Sequence, residues 1–120
     1  ITVSYPDDLE EYRKRSEILP EAMRSALYGE GVRSLGEEFF EALFAPAIKA
    51  AEKNDALLYC GEYGVIDRAP LDDTVAWLKD IHTAFEKNHI GHAWWNYKGK
   101  DFGLADAHYA PVVNEMAKML

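Results

Sequence analysis

The sequence predicts an α/β protein built around a strand, a helix and a second strand in its carboxyl-terminal half. The runs at residues 56–61 and 91–96 are bulky, apolar and bounded by glycine or polar residues, as buried strands are. Between them, apolar side chains from Val75 to Phe85 recur at helical spacing, and Asn88 fits the end of that helix. Because a helix connects the two strands, we expect them to be parallel, with a right-handed crossover.

The first part of the chain is expected to be extended and then helical. Residues 1–6 are short and extended, and residues 9–19 have helical composition after Asp7 and Asp8, either of which can cap the helix. A proline at position 20 ends this helix, and residues 21–27 favour a short second one. Three glycines then mark a loop, at positions 29, 31 and 36.

A longer helix is predicted over residues 35–54, because phenylalanines from Phe39 to Phe44 and the following Ile48 supply an apolar face. Pro46 is expected to kink this helix or to begin a new segment.

Three signals complete the carboxyl-terminal half. Asp72 or Asp73 is the expected cap of the connecting helix. Residues 97–109 form a loop that is long enough to shape a site, and Pro111 opens a last helix.

Composition and charge exclude several classes of function. With 120 residues, 48% of them hydrophobic, the chain suffices for one modest globular domain, and no internal boundary is visible. The formal net charge of −8 would repel phosphates, so no nucleic-acid partner is expected. No apolar run approaches the roughly 20 residues of a membrane span, so no membrane partner is expected either. The single cysteine, Cys60, excludes an internal disulfide and a multi-cysteine zinc site.

Two short motifs carry the candidate chemistry, and each stands at the end of a predicted strand. Gly61-Glu62-Tyr63-Gly64 closes the first strand, and Trp94-Trp95-Asn96-Tyr97 closes the second. A carboxylate at the end of a buried strand is costly unless it is paired or used, so Glu62 is either satisfied by a neighbouring arginine or part of a site.

Together these motifs resemble the last two strands of family 5 glycoside hydrolases, and the resemblance covers roughly residues 55–120. In that family the glutamate of a Gly-Glu-Phe-Gly-like motif is the catalytic nucleophile, which implies this role for Glu62. A tryptophan at the last strand forms a platform for a sugar ring, which implies this role for Trp95. The implied fold is the C-terminal part of a (β/α)8 TIM barrel, with its last two parallel strands and surrounding helices. In a barrel both side chains would point at the same mouth.

The length of the chain predicts that this barrel is incomplete. A (β/α)8 barrel takes about 250 residues, and two strands cannot close one. Residues 1–120 are therefore expected to be the C-terminal segment of a catalytic barrel, with the N-terminal part of the same barrel as their partner. The segment opens on Ile1 without a signal peptide, so the secretion that the resemblance implies stands beside a cytoplasmic alternative.

Further substrate contacts are predicted near the platform. Lys98 follows Trp95 and can hydrogen-bond sugar hydroxyls, although a solvated loop pair with Asp101 is an equal alternative. His92 alternates with its neighbours so that it would face the barrel interior and the substrate. Trp94 points the opposite way from Trp95 and is expected to pack beneath the outer helices.

The histidines do not predict a metal site. His82 lies on the apolar side of its helix, where a core histidine is the commoner reading, and His89, His92 and His108 show no metal-ligand spacing. No metal and no cofactor are therefore expected.

Only one of the two carboxyl groups of a retaining glycosidase is predicted in this chain. The two groups must lie about 5–5.5 Å apart. The family's acid/base stands in an Asn-Glu-Pro-like motif, and Asn114-Glu115 is rejected because it falls in the predicted last helix.

The chain is therefore interpreted as the nucleophile half of a cellulase-like endo-β-1,4-glucanase that acts on β-glucan and is inactive alone. The alternatives are another β-glycan hydrolase, such as a mannanase, exo-glucanase or β-glucosidase, or a non-catalytic carbohydrate-binding fragment.

Overall fold

The computed structural model describes residues 4–24 and 34–120, and these residues form an α/β fold as the sequence predicts. The helices are α1 (Leu9–Ser16), α2 (Glu21–Arg24), α3 (Glu37–Lys53), α4 (Leu71–Lys87) and α5 (Val113–Ala117). The strands are β1 (Asp7–Asp8), β2 (Ser34–Leu35), β3 (Tyr59–Tyr63) and β4 (Gly91–Trp94), and a 3-10 turn covers Ala107–Tyr109.

The predicted strand–helix–strand unit is confirmed, because β3 and β4 pair in parallel and α4 connects them. Both strands differ from their expected bounds: β3 is displaced towards the carboxyl terminus and β4 is two residues shorter. The displacement of β3 follows from its pairing, since the Gly91 N–H already bonds the Leu58 carbonyl and the ladder then continues to Tyr63.

The main core lies between this strand pair and helices α3 and α4. Phe44 of α3 stacks on Phe85 of α4, with ring centroids 5.3 Å apart, and Phe40 meets Trp77 edge-on at 5.5 Å. The predicted phenylalanine face of α3 is therefore core packing. Tyr109 and Met116 close the same core from the carboxyl-terminal side and are fully buried. Burying such side chains supplies most of the free energy that holds the layers together.

α3 corrects two expectations. It begins at Glu37 rather than at residue 35, because Ser34 and Leu35 pair antiparallel with β1 and so belong to a strand. It also runs unbroken through Pro46, so no new segment begins there. The proline lies on an exposed part of the helix, where a carbonyl left without its N–H partner can be hydrated.

The amino-terminal elements form a small second core. The Asp8 side chain caps α1 by accepting a hydrogen bond from the Glu11 N–H at 2.9 Å, which confirms one of the two predicted caps. Leu9, Tyr12 and Leu35 are buried together beneath this helix. The short pair β1 and β2 was not predicted, since two-residue strands carry no periodicity. The expected short helix is seen as α2, while its residues 25–27 and the glycines at 29 and 31 lie outside the described residues, as do residues 1–3.

The carboxyl-terminal helices also start differently from their expectations. Pro70 is the N-cap of α4, so Asp72 and Asp73 lie in its first turn rather than before it. α5 begins at Val113, two residues after the predicted start at Pro111. Among the described helices, none is both long and apolar enough to cross a membrane.

β3 is more exposed than a buried strand should be. The side chain of Tyr59 is 68% exposed, and that of Leu57, just before the strand, is 95% exposed. In the described part of the chain β3 pairs only with β4, and the helices cover one face of the pair. The opposite face and one edge of β3 therefore lie open.

Candidate active site

A β-bulge places Glu62 in the strand pair. The register runs regularly and then breaks, so that Gly61 and Glu62 of β3 together stand opposite the single residue Ala93 of β4. Two residues opposing one define a bulge, which bends the strand and re-aims its side chains. The paired residues around it are Tyr59 with Gly91, Cys60 with His92, and Tyr63 with Trp94.

The bulge explains which side chains of β3 face the helices. Cys60 and Tyr63 both pack against the main core although they are three residues apart, which regular alternation would forbid. The extra residue returns the Tyr63 side chain to the side of the helices. Glu62, which lies within the bulge, is left exposed. The bulge thus turns a carboxylate outwards at the carboxyl end of the strand.

The two tryptophans after the bulge lie in different surroundings. Trp94 packs edge-on against Tyr63 at 5.7 Å and Tyr109 at 6.0 Å, and its indole N–H donates to the Phe102 carbonyl at 3.0 Å. Trp95 is 42% exposed, and its backbone N–H donates to the Tyr63 carbonyl at 2.8 Å, which extends the parallel ladder by one bond. Continued strand alternation predicts that Trp95 points away from the helices, towards the side on which Glu62 is exposed.

The loops that follow β3 and β4 are joined to each other. A Cβ on Gly64 would lie 2.6 Å from the Trp95 carbonyl oxygen, so only glycine permits this approach. The Asp67 N–H donates to the Asp101 carbonyl at 2.7 Å, and the Tyr109 hydroxyl donates to the Val65 carbonyl. These contacts hold the two loops together at the carboxyl ends of the strands.

The loop after Trp95 carries Lys98, whose side chain is exposed. It folds back on itself, because the Asp106 carboxylate accepts a hydrogen bond from the Gly99 N–H at 2.9 Å and Gly99 has a φ of 75°. Lys98 is exposed there, and Tyr97 beside it is 76% exposed. Asp101 pairs with Arg68 at 4.0 Å. Tyr97 is an exposed aromatic that sequence reasoning counted only as part of a motif and not as a candidate contact.

His92 lies on the helical side of the strands, which corrects the expectation that it faces a barrel interior. Its ring stacks on Phe85 of α4, with centroids 4.6 Å apart and planes 12° apart, and its Nδ1 lies 2.9 Å from the Tyr63 hydroxyl. The physical reason is alternation with Ala93: His92 shares the face of Trp94. The structure therefore does not bring His92 together with Glu62 and Trp95.

Burial on the helical side changes the acidity of the groups that lie there. It lowers the pKa of His92, with neighbouring His82 acting in the same direction and Glu86 opposing it. Burial also raises the pKa of Tyr63 to about 12. Both side chains are therefore neutral at pH 7. Burial likewise raises the pKa of the Cys60 thiol, which packs against the main core.

The structure also brings together three side chains that the sequence reading left separate. His82 and Glu86 of α4 meet His92 of β4, and one potential ligand atom from each lies within 4.8 Å of the others. The signal was the four-residue spacing of His82 and Glu86, which puts both on one helix face. This cluster lies on the side of the strands opposite to Glu62.

A cavity of about 880 Å³ lies between the amino-terminal segment and the loop after β3. It is bounded by Tyr5, Phe39, Ile66, Trp77 and Phe102 among others, and neither Glu62 nor Trp95 lines it. Tyr5 is fixed there by its hydroxyl, which donates to the Asp80 carboxylate at 2.7 Å. The candidate site is therefore the exposed side of the bulge and not this cavity.

The chain is similar to segments of bacterial cellulases. It is 38% identical over 86 residues to endoglucanase C of Acetivibrio thermocellus, an alignment that covers 72% of this chain and 25% of that protein. It is 50% identical over 54 residues to cellodextrinase A of Ruminococcus flavefaciens, which covers 45% of this chain and 16% of that protein. The chain thus spans about a quarter or less of the curated relatives that it matches. No protein-family model matches it.

A solved structure gives the same result. A hyperthermophilic endo-β-1,4-glucanase, crystallised with its substrate, superposes on this chain with a TM-score of 0.55 and 27% identity. The match covers 59% of this chain and 23% of that one. Sequence and fold therefore both support a relationship with the cellulases.

Proposed function

We propose that this chain is the C-terminal part of a family 5-like retaining β-glycoside hydrolase that acts on β-1,4-glucan. The observation that carries the proposal is the bulge in β3, which leaves Glu62 exposed. Glu62 directly precedes Tyr63, whose carbonyl accepts the hydrogen bond from the Trp95 N–H. The names of the relatives, endoglucanase and cellodextrinase, support a glucan as substrate. The low coverage of those relatives supports a partner segment that supplies the remainder of the barrel.

In the proposed mechanism Glu62 is the nucleophile. Its carboxylate attacks the anomeric carbon, the glycosidic C–O bond breaks, and an acid carboxyl group outside this chain protonates the leaving oxygen. The resulting glycosyl ester on Glu62 is then cleaved by water, which the same outside carboxylate deprotonates. Exposure of Glu62 suits this role, because a substrate can reach its carboxylate.

Trp95 is proposed as the sugar platform. Its exposed indole offers a flat apolar surface to the C–H face of a pyranose, while its backbone is fixed by the bond to the Tyr63 carbonyl. Lys98 and the exposed Tyr97 lie on the loop that follows, within the same joined pair of loops. Lys98 is proposed to donate hydrogen bonds to sugar hydroxyls.

Cleavage of short cello-oligosaccharides is the second candidate function. The match to a cellodextrinase is shorter than the match to an endoglucanase but more nearly identical, at 50% against 38%. Both reactions use the same nucleophile and platform.

A mechanism-based label tests the proposal. In the complete enzyme, a 2-fluoro-glycoside of cellobiose should form a stable ester, and peptide mass spectrometry should place it on Glu62. Glu62→Gln should lower kcat by roughly 10³-fold or more, because no covalent intermediate can form. Glu52→Gln, an exposed glutamate on α3, is the matched control and should retain full activity. A label on another residue, or full turnover by Glu62→Gln, contradicts the assignment.

A further inference from the structure

His82, Glu86 and His92 form a cluster that the proposed hydrolysis does not use. Two of them come from α4 and one from β4, so two different elements fix the cluster. One potential ligand atom of each residue lies within 4.8 Å of the other two. His92 faces the helices, so the cluster is separated from Glu62 by the strand pair itself.

The packing of α4 on β4 holds these side chains in place. His82 and Glu86 are four residues apart on one helix and therefore share a face. The His92 ring stacks on Phe85, which precedes Glu86, and the His82 and His92 rings meet edge-on with centroids 6.0 Å apart. Phe85 is fully buried in the main core, so the approach of the two histidines is set by packing and not by a mobile loop.

One ring nitrogen of each histidine has surroundings that suit a metal site. The Nδ1 of His92 is engaged by the Tyr63 hydroxyl at 2.9 Å, which leaves Nε2 as its free nitrogen. A metal-binding histidine commonly has its other nitrogen hydrogen-bonded in this way, which fixes the ring orientation. The Nδ1 of His82 is buried and has no hydrogen-bond partner among the described residues. Leaving such a nitrogen unpaired costs free energy, and a cation bound at this nitrogen would offset that cost.

We propose that His82, Glu86 and His92 bind one divalent transition-metal ion of the zinc class. Two imidazoles and a carboxylate are a common ligand set for Zn²⁺, at about 2.0–2.2 Å from the ion. In a tetrahedral zinc site, ligand atoms about 2.1 Å from the ion lie about 3.4 Å apart, so atoms within 4.8 Å of one another can all reach one ion if each side chain moves by about 1 Å or less. Glu86 is exposed, which leaves the fourth position to water. The ion would tie α4 to the helical side of β4, the strand that precedes Trp95.

Zinc titration of the chelator-treated chain tests this site. Equilibrium dialysis should show one Zn²⁺ per chain with a Kd below about 1 µM, and the ion should raise the midpoint of thermal unfolding. His82→Ala and Glu86→Gln should each weaken binding at least tenfold. Tyr63→Phe, which removes the bond to His92, should weaken it by about 10- to 100-fold, as loss of an outer-shell partner does.

His89→Asn is the matched control, since this histidine lies three residues from His92 but outside the cluster, and asparagine tolerates its positive φ of 53°. It should bind zinc as the unaltered chain does. Unchanged affinity in Glu86→Gln overturns the proposal, and because Glu86 is exposed this variant keeps the fold even where His82→Ala does not. An equal loss in His89→Asn, or binding weaker than about 100 µM, overturns it as well. The measurement reports metal binding and not glycan turnover, so its result is independent of the proposed hydrolysis.

Discussion

The two glycines that flank Glu62 stand in different environments, although the motif makes them look equivalent. A Cβ on Gly64 would meet the Trp95 carbonyl oxygen at 2.6 Å and the Phe102 ring at 3.3 Å. A Cβ on Gly61 would meet only the Tyr59 ring, at 3.6 Å, which is ordinary contact. Gly64 is therefore required by the close approach of the two strand-end loops, while Gly61 is not.

Gly64→Ala should destabilise the chain by about 1–3 kcal/mol, because the backbone at Trp95 must shift to admit a methyl group. Gly61→Ala is the control and should change stability by less than about 0.5 kcal/mol. Urea unfolding followed by tryptophan fluorescence measures both. Equal losses of unfolding free energy at the two positions would show that the close contact between Gly64 and the Trp95 carbonyl does not require glycine.

At the scale of elements, Tyr109 joins the 3-10 turn to the loop after β3. Its ring is fully buried against Trp94, and its hydroxyl donates to the Val65 carbonyl. Burial raises the pKa of Tyr109 to about 12, and the carboxylates of Asp67 and Asp106 add to the effect. The fold therefore keeps this phenol neutral at a pH where the unfolded chain, with an ordinary pKa of about 10, loses the proton.

Tyr109→Phe should lower the free energy of unfolding at pH 7 by about 1–3 kcal/mol, because the Val65 carbonyl loses its donor. The raised pKa means that the contribution of Tyr109 is complete below pH 10 and is lost as the pH rises towards about 12. The difference between the two proteins should therefore narrow over that interval. Denaturant unfolding at pH 7, 10 and 11.5 measures it. Tyr97→Phe, at an exposed tyrosine, should show neither effect, and a difference that does not change with pH would contradict the argument.

The sequence pattern predicted the longer helices and the parallel strands, but it did not predict features that depend on strand pairing and on tertiary packing. The helix over Leu71–Lys87 follows from apolar spacing that repeats over many residues, and the two parallel strands follow from apolar runs bounded by glycine or polar residues. The bulge at Gly61 and Glu62 depends on where β4 pairs, which one strand's sequence does not encode. The same holds for the two-residue strands β1 and β2. The contact between His92 and His82 depends on how α4 packs on β4. This is a tertiary contact, which the local sequence pattern does not predict.

At the scale of the whole molecule, the described residues leave one side of the strand pair open. Leu57 and Tyr59 are largely exposed there, and β3 has a single partner strand within the described residues. The radius of gyration is 15.1 Å, compared with about 14 Å for a typical domain of this length. An exposed strand edge with apolar neighbours is a site for pairing with another chain. In the proposed barrel, the remaining strands would cover this surface.

The 120-residue chain alone should therefore self-associate and should not hydrolyse β-glucan. Light scattering should give a mass above the 13.6 kDa of one chain, and reducing-sugar release from a soluble β-glucan should stay at background, because no acid carboxyl group protonates the leaving oxygen. Replacing Leu57 and Tyr59 together with lysine should return the mass towards that of a monomer. Leu43→Lys, at a half-exposed leucine on α3, should leave the mass unchanged. This control separates strand-edge pairing from non-specific hydrophobic association. A monomeric chain that turns over β-glucan at an enzymatic rate would mean that the site is complete within these residues, and that the second carboxyl group must be sought among them.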